Sequence, residues 1–297
     1  MSNRDFHLVD VFTARPFSGN SLAVFPDAHG LADDQMLSIT RELRHFESVF
    51  LCPADGRTAV RARVFDLIRE LAFAGHPVMG AAGVLHGLRA PEGGVAEWMF
   101  ELPAKSVPAT TRADGDAIHV EIDQGAPEFG ETLTTEQSFT VARALNVSPR
   151  DISDIAPAQV VSTGLRYLVM PLRDGLERAR IVDAGFEKML ASVGAEFAYV
   201  IDVENLEARH WNNDGLTEDI ATGSGAGTAA AFLAQAGRVA CNAPFTLRQG
   251  RFVGRPSELT LTPRGVPAAL TSIRVGGHVA RVGTGTLERL PEVGRCD

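Results

Sequence analysis

Two glycine turns, each opening a helix of small residues, constrain this chain more than any other feature. The first is Glu70-Leu71-Ala72-Phe73-Ala74-Gly75-His76-Pro77, running into Val78-Met79-Gly80-Ala81-Ala82-Gly83-Val84-Leu85. The second is Glu218-Asp219-Ile220-Ala221-Thr222-Gly223-Ser224-Gly225, running into Ala226-Gly227-Thr228-Ala229-Ala230-Ala231-Phe232-Leu233. Glu70 and Glu218 lie 148 residues apart in a chain of 297. A phenylalanine opens an apolar run upstream of each turn, at Phe46 and at Phe197. The pattern predicts a duplication: two similar halves, each presenting a helix N-terminus, able to face each other across a cleft.

The length suits two domains of about 150 residues each. Hydrophobic residues make up 45 % of the chain and charged residues 22 %, enough apolar material for a core in each half. The net charge is −9, and no basic stripe interleaves with aromatics, which excludes a nucleic-acid partner. No apolar run reaches the roughly 18 residues of a membrane span. The first residues lack a signal-peptide core, so the expected location is the cytoplasm. Cys52, Cys241 and Cys296 are too scattered for a disulfide framework or a CxxC pair and read as ordinary thiols.

Alternation of polarity predicts strands over residues 6–12, 22–25, 46–51, 60–66, 96–102 and 118–122. Met36, Ile39 and Leu43 predict a helix capped by Asp33 or Asp34. The second half repeats this grammar. Thr134-Thr135-Glu136-Gln137 reads as a capping box, and separate strands are expected at 273–275 and 278–286. There is no GxGxxG after a strand and no strict βαβ alternation, so the pattern does not support a dinucleotide fold. The class is α+β in two domains, with the boundary expected at residues 108–115.

The glycine turns carry chemistry as well. A helix N-terminus exposes unpaired N–H groups at the positive end of its dipole, a preference of roughly 0.3–2 kcal/mol for an anion. Gly75 and Gly223 let the backbone turn sharply and approach a ligand, and Ser224 adds a hydroxyl. The competing reading is that these turns serve tight helix packing alone. Glu47, within an apolar strand, either points to solvent or is buried as a proton-transfer group, worth roughly 10²–10⁴-fold in rate. His76, at a helix start that disfavours its cationic form, is either a packing residue or a neutral donor and acceptor. Asp219, three residues before Thr222, either caps the helix or holds a ligand amine. Asn20 is a turn residue or a ligand contact. The other histidines show no metal-ligand spacing, and no metal is expected.

The run Val9-Asp10-Val11-Phe12-Thr13-Ala14-Arg15-Pro16-Phe17-Ser18-Gly19-Asn20 resembles the opening motif of the phenazine-biosynthesis PhzF-like family. Glu47 falls where that family carries its catalytic glutamate. Phe73-Ala74-Gly75-His76-Pro77, Glu218-Asp219-Ile220-Ala221-Thr222-Gly223-Ser224, and Gln249-Gly250 with Gly254-Arg255-Pro256-Ser257 are similar to its later motifs, in order along the chain. The resemblance implies a diaminopimelate epimerase-like fold. Two pseudosymmetric domains, 1–115 and 116–287, would each wrap a curved, mostly antiparallel, barrel-like sheet around a central helix. About the last ten residues would return to the first domain, and the active site would lie in the cleft.

It further implies a homodimer that isomerises a small carboxylate without a cofactor, as in the isomerisation of trans-2,3-dihydro-3-hydroxyanthranilate. Glu47 would shuttle the proton with His76 and Asp219. Asn20, Gly75, Thr222, Gly223 and Ser224 would bind substrate. Related epimerases carry a cysteine in each glycine turn; the matching positions here are Ala74 and Thr222, so a two-thiol racemisation is not available. This chain departs from the family pattern at Phe46, Ser48 and Ile220, which bears on the pocket and the substrate. A racemase or epimerase of an amino-acid-like substrate and a non-catalytic metabolite-binding protein are the alternative functions.

Overall fold

The computed structural model describes residues 3–54, 59–90 and 94–292. The fold is mixed α+β, with five α-helices among the described residues. No helix among them is long and apolar enough to cross a membrane. Two compact units form, one from the residues up to Ile122 together with those from Gly276 onward, the other from Asp123–Val275.

The first unit contains β1 (Arg4–Val11), β2 (Asn20–Phe25), α1 (Asp33–Leu43), β3 (Glu47–Pro53), β4 (Ala59–Asp66), β5 (Glu70–Leu71), α2 (His76–Arg89), β6 (Val95–Glu101), β7 (Ser106–Asp114) and β8 (Ala117–Asp123). The second contains β9 (Glu128–Thr132), α3 (Thr135–Ala144), β10 (Gln159–Ser162), β11 (Arg166–Leu172), α4 (Phe186–Ser192), β12 (Phe197–Asp202), β13 (Glu207–Arg209), α5 (Gly223–Gln235), β14 (Phe245–Gln249) and β15 (Ser257–Val266). The last strand, β16 (Ala269–Leu287), begins in the second unit and ends in the first.

In the first unit the strand order is β1-β2-β3-β4-β6-β7-β8-β16, and β16 pairs back onto β1, so the strands close into a ring. Closure removes the open sheet edge that would otherwise invite another chain. The α2 helix packs against β1, β2, β3, β6 and β7, which places it through the ring. Its small residues are what fit there. A Cβ on Gly80 would drive into the Leu22 side chain, and one on Gly83 would sit 2.9 Å from Val279 Cβ. Outside the ring, Met36 and Ile39 of α1 pack on Ala23, Phe25, Phe50 and Phe65. Phe25 and Phe50 stack at 4.7 Å, and Phe65 meets Phe50 edge-on at 5.8 Å.

In the second unit the order runs β15-β14-β13-β12-β11-β10-β9. The α5 helix is buried along nearly its whole length and packs on β10, β11, β12 and β15. Gly225 lets the Tyr199 ring lie against the helix, and Gly227 makes room for the Gln124 amide. A separate apolar layer joins Val141 and Leu145, Phe186 and Leu190 to Leu168 and Val200.

Several expectations change. Residues 108–115 are not a linker: they lie mostly in β7, whose hairpin with β8 pairs Asp114 with Ala117 across the turn at Gly115. The division of the units falls after that hairpin, and the return to the first unit starts at Gly276 rather than in the last ten residues. The strands expected at 273–275 and 278–286 are one strand of 19 residues. Ala32, not Asp33 or Asp34, holds the N-cap position of α1; Gln35 reaches back to accept the Ala32 N–H at 3.0 Å. The capping box at Thr134 is present, with Gln137 N–H to Thr134 Oγ1 at 3.2 Å and Thr134 N–H to Gln137 Oε1 at 2.8 Å. Cys52 and Cys241 are free thiols; Cys296 lies outside the described residues.

Candidate functional site

In the first unit, the loop after β1 is held under local strain. Phe12 and Phe17 both adopt positive φ, 67° and 66°, which is rare for aromatic residues. The buried carboxylate of Asp10 fixes the loop by accepting the Phe17 N–H at 2.6 Å. Gly19, at φ 64°, packs so closely on the Val11 carbonyl that a Cβ has no place. Asn20 then enters β2 opposite Val11, fully buried.

Glu47 is the first residue of β3. The neighbours of Ser48 in register, Ala23 and Phe65, together with Phe50, belong to the α1 layer. Alternation therefore turns Glu47 the other way, toward α2. Its side chain is 22 % exposed, and Oε2 stands 3.7 Å from Nδ1 of His76. Of the two orientations open to Glu47, the inward one is observed. His76 is buried at the start of α2, behind the N-cap Gly75. Pro77 follows, at a position where the missing N–H is not needed. Ser48 faces the apolar layer, and its buried hydroxyl finds no hydrogen-bond partner among the described residues.

In the second unit, the turn before α5 is clamped from several sides. Arg209 grips Glu218 through two bonds, Nε to Oε1 at 2.9 Å and Nη2 to Oε2 at 2.6 Å. The guanidinium lies over the rings of Trp211 and Phe252 at 4.7 and 4.4 Å. The Asp219 N–H donates to the His210 carbonyl at 2.9 Å, and the Thr222 hydroxyl donates to Asp219 Oδ2 at 2.6 Å. Thr222 is the N-cap of α5, yet its hydroxyl serves this carboxylate and makes no capping bond. Asp219 thus accepts from the side chain of the N-cap residue of α5. The first intrahelical bond runs from Ala226 N–H to the Thr222 carbonyl at 2.9 Å. The N–H groups of Gly223, Ser224 and Gly225 precede it and have no intrahelical acceptor.

Gln249, fully buried, organises this corner. Its Oε1 accepts from the Tyr199 hydroxyl at 2.8 Å and from Thr222 N–H at 3.1 Å. Its Nε2 donates to the Asp219 carbonyl at 3.0 Å and to Thr222 Oγ1 at 3.1 Å. All four bonding positions of the amide are used. Burial, and secondarily the charge of Asp219, pushes the Tyr199 phenol well above its ordinary range and keeps it a neutral donor. His210 donates from Nδ1 to the Ala198 carbonyl at 2.9 Å, and burial holds its pKa below the usual 6.5. Ser224 Oγ lies 2.8 Å from the Tyr167 hydroxyl.

Sequence reasoning did not single out Gln249, Tyr167, Tyr199 or His210 as members of this corner. One signal was available. The chain has only two tyrosines, and both lie on the paired strands β11 and β12 beside α5.

Comparison with known proteins bears on what these corners do. A sequence model of the phenazine biosynthesis-like proteins matches residues 9–285. The chain belongs to that family. Among relatives, an uncharacterised isomerase of Pasteurella multocida is 33 % identical, over 95 % of this chain and 93 % of that protein. The trans-2,3-dihydro-3-hydroxyanthranilate isomerase of Pseudomonas fluorescens is 28 % identical, over 95 % of this chain and 99 % of that protein. The solved structure of a predicted epimerase from Pseudomonas aeruginosa is similar at a TM-score of 0.89 and 44 % identity, covering 96 % of this chain and 99 % of that one. By these relationships the chain is an isomerase of the phenazine biosynthesis-like family. The matched span includes every candidate residue described above, from Asn20 to Ser224.

Proposed function

We propose that the protein is a cofactor-independent isomerase of a small carboxylate metabolite, in which Glu47 takes a proton from one carbon and returns it to another. One C–H bond breaks, one forms, and a double bond shifts, so no electrons are exchanged with an outside partner. The observation that carries the reading is the inward carboxyl of Glu47, 3.7 Å from His76 at the head of α2. A carboxylate beside an imidazole is a proton-transfer pair. Asp219, already an acceptor for Thr222, polarises or holds a polar group of the substrate. The amides of Gly223 and Ser224, with the Ser224 hydroxyl, take the carboxylate. Asn20 and Gly75 complete the contacts. The reading also takes the two units as related halves, supported by the 148-residue offset of the glycine turns.

The substrate of the Pseudomonas fluorescens relative is the first compound to assay, followed by other cyclic and amino carboxylates. Exposed Phe46 beside Glu47 and Ile220 beside Asp219 are where this chain would depart in substrate. The test is solvent-deuterium incorporation read by NMR, for the wild type and for Glu47→Gln. The variant is expected to fold and bind normally and to lose roughly 10²–10⁴-fold in turnover. Equal turnover removes the assignment of Glu47.

A second reading, epimerisation at a stereocentre, has support from the 44 % identical predicted epimerase. Deuterium entering with loss of optical rotation, and no double-bond shift, would favour it. Ala74 and Thr222 argue against the two-thiol form of that chemistry.

A further inference from the structure

Ser224 sits in the first turn of α5, and its hydroxyl meets that of Tyr167 at 2.8 Å. Tyr167 is buried, with its ring packed by Phe197, Tyr199 and His210 at centroid distances of 5.4, 6.2 and 5.5 Å. The phenol therefore points in a fixed direction. A serine hydroxyl carries one proton and two acceptor lone pairs. If Ser224 gives its proton to Tyr167, it turns only lone pairs toward an arriving carboxylate and repels it. If Tyr167 donates, Ser224 keeps its proton for the ligand, and the bond it accepts strengthens the bond it gives. A phenol is the more acidic of the two hydroxyls, which favours the second arrangement.

We propose that Tyr167 is a positioning residue whose hydroxyl donates to Ser224 Oγ and thereby commits the Ser224 proton to a substrate carboxylate. This rests on the reading of the α5 N-terminus as the carboxylate site. The pair favours ligands that present an acceptor to the Ser224 proton. Phenylalanine at 167 keeps the ring and its neighbours and removes the hydroxyl that meets Ser224, which separates the role from simple packing.

The test is a double-mutant cycle on the full chain, with benzoate as the probe and calorimetric titration as the readout. Ser224→Ala is expected to weaken benzoate by about tenfold to a hundredfold, the loss of a hydrogen bond to a charged group. Tyr167→Phe is expected to weaken it by about threefold to tenfold. The double variant is expected to bind like Ser224→Ala alone, because no serine is left to be oriented. If the two losses add, or if Tyr167→Phe binds like the wild type while Ser224→Ala does not, the role of Tyr167 is overturned and the carboxylate site stands. If Ser224→Ala binds like the wild type, or the wild type shows no saturable benzoate binding, the carboxylate site falls and the proposal falls with it.

Discussion

Replacing Gln249 with leucine tests whether the corner beside α5 is held by one amide. The side chain is 1 % exposed and makes four hydrogen bonds. Leucine is of similar size, so the cost is mostly polar. Four groups lose a partner inside the protein: the Tyr199 hydroxyl, the Thr222 N–H, the Asp219 carbonyl and the Thr222 hydroxyl, the last of which keeps its bond to Asp219. Each buried, unsatisfied group costs about 1–3 kcal/mol. The losses share one site and fall short of additivity, so the expected total is about 3–5 kcal/mol. That is a large part of the 5–15 kcal/mol that holds a typical domain together. Tyr199→Phe is the internal control. It removes one donor and leaves Gln249 Oε1 bonded to Thr222 N–H, for an expected loss of about 0.5–1.5 kcal/mol. The assay is urea unfolding followed by tryptophan fluorescence. The chain has two tryptophans, Trp98 in the first unit and Trp211 in the second. A Trp98→Phe background therefore reports the second unit, and unfolding of the two units need not be a single transition. A Gln249→Leu midpoint within error of the Tyr199→Phe midpoint, at unchanged slope, would refute the claim that the amide organises this corner.

Three further outcomes are expected. Buried His210 has a folded-state pKa below 6.5, so the unfolded chain binds a proton that the native state does not. Stability is then full above about pH 6.5 and falls as the pH drops through that value toward the folded pKa, with a slope of up to about 1.4 kcal/mol per pH unit from this group. His7, His86 and His119, also lowered chiefly by burial, act in the same direction. His210→Gln should flatten the slope between pH 6.5 and 5 in urea titrations; an unchanged slope assigns the effect to the other histidines. Ser48→Ala should raise stability by about 1 kcal/mol, because a buried hydroxyl without a partner is removed from the α1 layer, and a lower thermal midpoint would contradict this. Glu47→Gln should leave the unfolding midpoint within about 1 kcal/mol of the wild type while turnover collapses, so that a folding defect and a chemical one are told apart.

The parts of the fold legible in the sequence are those whose cause is local. Gly75 and Gly223 mark helix starts because the residues that follow must be small to be enclosed, and the sequence displays that smallness directly. The Thr134 capping box needs only residues three apart. By contrast, β7 buries Val107, Ala109 and Thr111 in strict alternation, but alanine and threonine carry too weak an apolar signal, and Pro108 suggests a break. That proline is tolerated because pairing with β8 starts only at Ala109. Gly276 and Gly277 likewise suggested a turn inside β16. The absent side chain of Gly276 instead lets the Val120 carbonyl come close, with a Cβ only 3.1 Å from it, and the strand runs on. The Gln249 corner was hidden for another reason. Its partners Thr222 and Asp219 lie 27 and 30 residues away, and no periodicity encodes a contact at that range.

The hydrogen bonds at Thr222 bear on which chemistry the fold has kept. A residue that replaces an acid–base thiol needs either a proton to exchange or a lone pair to receive one. The Thr222 hydroxyl has no proton to spare, and its remaining lone pair belongs to a neutral alcohol, far too weak a base to take a proton from carbon. Its proton is committed to Asp219 Oδ2 at 2.6 Å, and it accepts from Gln249 Nε2 at 3.1 Å. Ala74, at the other glycine turn, has no polar side-chain atom at all. Under the proposed function, proton transfer then falls to Glu47, His76 and Asp219 rather than to residues 74 and 222. Thr222→Cys makes the point testable. A thiol at 222 would be a weaker donor to Asp219 and a poorer acceptor from Gln249. The variant should lose stability by about 1 kcal/mol and gain no racemisation, measured as deuterium entry into proline or alanine with loss of optical rotation. Racemase activity appearing with this single change would refute that expectation and show that the turn residue alone decides between isomerase and epimerase.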